Sequence, residues 1–90
     1  MPAEISNNAA VAQDVIAAEL CALVYRHGRV DGHFEMSLDH LRRKSSRTLR
    51  TIETGLILAE RRDWVRWGGS GLALRAAGIH VAKGILGLPR

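Results

Sequence analysis

Apolar residues recur along this chain at helical spacing in two regions and in a strand-like run in a third. Ile16, Leu20 and Leu23 form a stripe at steps of three and four, with Val24 beside it. Val11, Val15, Ala18 and Ala22 form a second stripe on another side, and Asp14, Glu19 and Arg26 fill the gaps. This predicts a first helix over 7–27, after a frayed tail at 1–6. Asn7 or Asn8 would cap it, the Ala-rich run from Ala9 to His27 would carry it, and Gly28 would close it in the left-handed conformation. A helix apolar on two sides is expected to set one face into the core and the other against a second chain.

Residues 29–36 hold a turn at Asp31-Gly32 and a short extended piece. Ser37 is placed to cap a second helix from Leu38 to about Lys44, with Leu38 and Leu41 as core contacts and Ser45-Ser46 as the break. A third helix is expected from Arg47 to Arg61, burying Leu49, Ile52, Leu56 and Ala59. Gly55 weakens it by about 1 kcal/mol relative to alanine and is expected to admit close helix packing. Trp64 to Trp67 and Leu72 to Arg75 read as two strands joined by the flexible run Gly68-Gly69-Ser70-Gly71. Strand alternation puts Trp64 and Trp67 on opposite faces, one in the core and the other at the root of the hairpin or under the tail. A C-terminal extension over 76–90 begins with a helical turn or two to about Gly84 and ends in an apolar tail. It is expected to pack on helix 1 or on a partner.

Ninety residues make one domain. No apolar stretch approaches the ~20 residues of a membrane span, and nothing at Met1-Pro2-Ala3-Glu4 reads as a secretory signal. The single cysteine, Cys21, cannot form an internal disulfide, which fits a reducing, cytoplasmic location. Charge is unevenly spread. Residues 1–39 hold six acids and two bases, and residues 40–90 hold three acids and eleven bases. Such asymmetry points the second half at a polyanion. Eleven of the thirteen bases are Arg, whose planar donor fork suits phosphates and guanine edges. Four aromatics are too few for base-stacking platforms, which argues against a single-strand reader.

The element order resembles that of a winged helix-turn-helix domain: helix, short strand, helix, tight turn, helix, hairpin. Met36 to Leu41 is similar to the strand end and capped second helix of that superfamily, and Ser46 to Ile52 to the start of its recognition helix. Leu72 to Gly78 resembles the second wing strand and the leucine-threonine-x-x-glycine corner after it, with Arg75 where that corner usually has threonine. Winged helices of the multiple-antibiotic-resistance-regulator type are the nearest in character. The resemblance implies a mostly α chain with a small β-hairpin wing, an α+β fold, divided into helix 1 (7–27), a helix-turn-helix (37–61), a wing (64–75) and the extension (76–90). It also implies a homodimer on double-stranded DNA, regulating transcription, with helix 3 in the major groove and the wing on the backbone.

On a helical wheel, the side of helix 3 opposite its apolar stripe carries Arg47, Arg50, Thr51, Thr54, Leu58 and Arg61. Glu53 and Glu60 fall toward the edge of the stripe. Arg42, Arg43 and Lys44 end helix 2, where they also complement its dipole. With Ser46 at the turn and Arg66 and Arg75 on the wing, these are the expected DNA contacts, except Leu58. The dimer is expected through helix 1 and the C-terminal tail. Winged helices also serve as docking modules, so a protein-interaction module on an acidic partner is the alternative.

Other constellations weigh less. His27, His33, His40 and His80 match no ligand spacing with Cys21 and the nearby acids, so neither metal nor other cofactor is expected. Cys21 reads as a small buried hydrophobe rather than a nucleophile. Without a phosphate-binding glycine loop or a recognisable carboxylate pair, the chain does not read as an enzyme.

Overall fold

The computed structural model describes residues 2–68 and 71–89. Helix α1 runs Pro2–His27, β1 Arg29–Val30, β2 His33–Met36, α2 Leu38–Lys44, α3 Leu49–Arg61, β3 Val65–Gly68, β4 Gly71–Leu74 and α4 Ala76–Leu86. The fold is α+β, with a four-stranded antiparallel sheet in the order β1-β2-β4-β3.

Helix α1 starts earlier than the sequence pattern suggests. Pro2 fits the first helical position, where its missing N–H costs nothing, so residues 2–6 are helical and Asn7 and Asn8 are not caps. Its two stripes also resolve differently. From Ile16 to Val24 the helix is buried on most sides, and Ala18 and Ala22 of the second stripe are covered within this chain. It packs against both α3 and α4. Of the face assigned to a partner, Val15 stays exposed, and the side chain of Val11 lies outside the described residues.

Gly28 closes α1 without adopting a positive φ. Its requirement is space: a Cβ there would lie 2.6 Å from the Glu35 carbonyl oxygen and 2.7 Å from that of Val24. The left-handed backbone falls instead at Asp31 (φ 48°) and Gly32 (φ 82°). Two positive φ values give the turn whose twist matches a two-residue hairpin, and Val30 pairs with His33 across it. Strand β2 then pairs with β4 through Glu35–Ala73 and Met36–Leu72, tying the segment after α1 to the C-terminal hairpin.

Helix α2 has the expected bounds. Ser37 accepts from the His40 amide at 3.1 Å, and Ser45 ends the helix with its amide on Leu41. Helix α3 begins at Leu49 rather than Arg47, because Thr48 is its cap and accepts from the Thr51 amide at 3.3 Å. Gly55 brings α3 onto α1: a Cβ there would sit 2.7 Å from Ile16 Cγ2 and 3.0 Å from Leu20 Cδ1. At the far end Asp63 takes the left-handed slot (φ 61°), and the Trp64 amide reaches the Ala59 carbonyl. One tryptophan is covered and the other is not, but alternation does not account for it: Trp64 precedes β3, and within β3 Trp67 falls on the same face as buried Val65. Trp64 packs on the core, and Trp67 is exposed.

Val24, Leu41, Ile52, Val65 and Leu72 lie in one core, each at most 1% exposed. Cys21 belongs to it, and burial pushes its thiol up to about 12. The thiolate is therefore scarce at neutral pH. The native protein is expected to resist alkylation by iodoacetamide at pH 8 and to react once unfolded in denaturant, which mass spectrometry reads directly. Rapid native labelling would contradict this packing.

Candidate nucleic-acid interface

Basic side chains gather on α2, the α2–α3 turn, α3 and the β3–β4 hairpin, but their surroundings differ. Arg43 is paired with Asp39 one turn back at 2.8 Å. Arg47 precedes α3 and reaches across to α1, with Nη2 on Glu19 at 2.9 Å and Nε at 3.4 Å. This fork raises the Arg47 guanidinium above the ordinary arginine value, chiefly through the hydrogen bond. Arg75 pairs with Asp63 at 2.9 Å, joining the entry of α4 to the end of α3. Arg47 and Arg75 are therefore partly committed to holding the fold.

Arg42, Lys44, Arg50, Arg61 and Arg66 are exposed and form no ion pair among the described residues. Ser46 is exposed beside them in the turn. Ser37, His40, Arg43 and Lys44 line an open hollow of about 460 Å³ on α2. His27, at the end of α1, has its pKa lowered first by desolvation and then by the charges of Lys44, Arg26 and His40.

The threonines are less available than a wheel suggests. Thr51 Oγ1 lies 2.9 Å from Thr48 Oγ1 in the cap of α3, and Thr54 Oγ1 donates to the Arg50 carbonyl at 2.9 Å. Both are half-buried. Leu58 is also half-buried and packs on the core, because the helix is covered from a second side. The outward face of α3 instead carries Arg50, Glu53, Ile57, Glu60 and Arg61, with Ile57 at 57% exposure. The expectation of a cationic face without carboxylates is corrected here. The start of α3 keeps Arg50, whereas its middle and end mix signs.

Arg62 was not singled out from the sequence. It pairs with Asp14 of α1 at 2.6 Å and lies over the Trp64 ring at 5.2 Å, so it staples α3 to α1. Only its place at the junction of an acidic helix and an aromatic strand could have indicated that. At the hairpin tip, Gly69 and Ser70 lie outside the described residues, and with them half of the loop Gly68–Gly71 expected to approach a phosphate. No helix among the described residues is long and apolar enough to cross a membrane. No family model, no curated protein and no solved structure matches this chain.

Proposed function

We propose that this chain is a winged helix-turn-helix domain that binds double-stranded DNA and regulates transcription in the cytoplasm. The observation that carries the reading is the set of exposed cations without ion pairs among the described residues: Arg42, Lys44, Arg50, Arg61 and Arg66. Pairing of β2 with β4, and the α2–α3 pair between those strands in sequence, support the fold assignment. The start of α3, with Arg50, enters the major groove. Arg42, Lys44 and Ser46 contact the backbone on one side, and Arg66 on the hairpin contacts it on the other. Arg47, Thr51 and Thr54 position α3 more than they touch DNA. The active species is a homodimer, its contact reduced to Val15 of α1 with Ile85 of α4 and Leu88 beyond it, all exposed. Sedimentation of the Val15→Glu variant against the parent tests that contact.

The DNA reading is tested with Arg50→Ala/Arg66→Ala. Both residues are exposed, so melting is expected to be unchanged. Affinity for duplex is expected to fall about tenfold or more, and the salt slope to flatten by about one unit for each phosphate no longer neutralised. Unchanged affinity in the folded variant would move the function elsewhere. Ile57, exposed between Glu53 and Glu60, favours a second reading in which this half of α3 docks a protein. In that case duplex binding is absent even in dilute salt.

A further inference from the structure

We infer that Glu53 and Ile57 set the sequence preference of the chain, an inference that rests on the duplex reading above. Glu53 accepts from the exocyclic amine of a cytosine, and Ile57 packs on the methyl group of a thymine. Both are exposed on the outward side of α3, Ile57 at 57%. Each residue of an α-helix turns about 100° from the last, so Arg50, Ile57 and Arg61 fall on one line down α3, with Glu53 about 60° to its side. At about 1.5 Å per residue, Glu53 stands about 4.5 Å beyond Arg50 along the axis, and Ile57 about 10 Å beyond it. Stacked base pairs are about 3.4 Å apart, so these three positions cover the length of about three base pairs.

What these two side chains cost points to what they do. A face that only tracked phosphates would be served by cations alone. A carboxylate on it repels the backbone of every duplex, whatever the sequence. Glu53 is not neutralised from within: it forms no ion pair among the described residues, although Arg50 lies three residues before it. An exposed isoleucine gains nothing from a phosphate either. Base edges are where both gain, because a carboxylate accepts from cytosine N4 and an apolar side chain meets the thymine methyl. The threonine hydroxyls do not compete for this role, since those of Thr51 and Thr54 are used in the cap and on the backbone of α3. Arg50 and Arg61, toward the two ends of the helix, attract any duplex. Glu53 and Ile57 between them penalise the wrong one, which is how specificity is separated from affinity.

Selection from a synthetic duplex pool with a randomised centre, run in parallel on the parent, Glu53→Ala and Ile57→Ala, tests the assignment. The parent is expected to enrich a cytosine and a thymine within about three base pairs of each other. Glu53→Ala is expected to lose the cytosine preference and keep the thymine, and Ile57→Ala the reverse. Both residues are exposed, so melting is expected to be unchanged. With its repulsion removed, Glu53→Ala is expected to bind the unselected pool about twofold or more tighter. Its ratio of selected-site to pool affinity is expected to fall about fivefold or more. Deoxyuridine in place of the selected thymine removes only the methyl group. That exchange is expected to weaken the parent about threefold and to leave Ile57→Ala unchanged. A parent that binds the pool but enriches no sequence, base preferences that survive both variants, pool affinity that falls in the folded Glu53→Ala protein, or an equal deoxyuridine penalty in parent and Ile57→Ala would each overturn this assignment while leaving duplex binding in place. A parent that binds no duplex at all overturns both readings and leaves this face of α3 to a protein.

Discussion

Replacing Gly78 with alanine is expected to lower stability by about 2–3 kcal/mol, even though alanine is the better helix former by about 1 kcal/mol. Gly78 is buried in the first turns of α4, where the helix crosses the chain at Trp64. A Cβ at this position would overlap the Trp64 carbonyl oxygen and lie 2.8 Å from its carbon. That carbonyl cannot turn aside freely, because it accepts from the Arg75 amide at 2.9 Å and so fixes the entry of α4. The crowding is against backbone, which has no rotamer to escape into. Gly84 provides the internal control. It lies in the same helix with nothing within 4 Å of an added Cβ. Gly84→Ala is expected to stabilise by about 0.5–1 kcal/mol through helix propensity and a less disordered unfolded chain. Denaturant unfolding of the two variants reads both signs. A Gly78→Ala protein as stable as the parent would show that α4 does not press on the Trp64 backbone.

Ile52→Ala should cost about 2–5 kcal/mol. Ile52 is fully buried on α3, on the side that carries Gly55, Leu56 and Ala59. Truncation removes three methyl or methylene carbons from a packed site whose neighbours belong to several elements, so collapse is incomplete. Ile57, five residues on and 57% exposed, makes the comparison informative. Ile57→Ala should stay within about ±0.5 kcal/mol. Thermal melts of the pair fix the rotation of α3 about its axis, and with it which side chains face outward. Equal losses would mean that Ile57 is covered in solution by another chain, and would favour the protein-docking reading.

Local chemistry was legible in the sequence wherever one residue type does one job. Ser37 as a cap, Asp31-Gly32 as a turn, the Ser45-Ser46 break and the burial of Leu41, Ile52, Leu56 and Ala59 all follow from hydrogen-bonding reach or helical spacing. Features that depend on which neighbour arrives from elsewhere were less legible. Ala18 and Ala22 looked free for a partner because the spacing of α1 does not say that α3 and α4 both pack on it. Gly28 looked like a left-handed terminator because the alternative, room for the Glu35 carbonyl, is a tertiary fact. Among the candidate site residues the same division holds. Exposure of Arg42, Arg50 and Arg66 was readable from pattern. The engagement of Arg47 with Glu19, twenty-eight residues away, was not, nor was the use of the Thr51 and Thr54 hydroxyls inside α3.

Affinity for random-sequence duplex DNA, measured by titration across a range of salt concentrations, tests the central proposal most directly. Neutralised phosphates release counterions, so each contact adds about −0.9 to the slope of log affinity against log salt. With Arg42, Lys44, Arg50, Arg61 and Arg66 available on each chain, the expected result is binding at about 50 mM salt that weakens with a slope of about −3 or steeper. No binding at about 50 mM salt, or an affinity indifferent to salt, would contradict it.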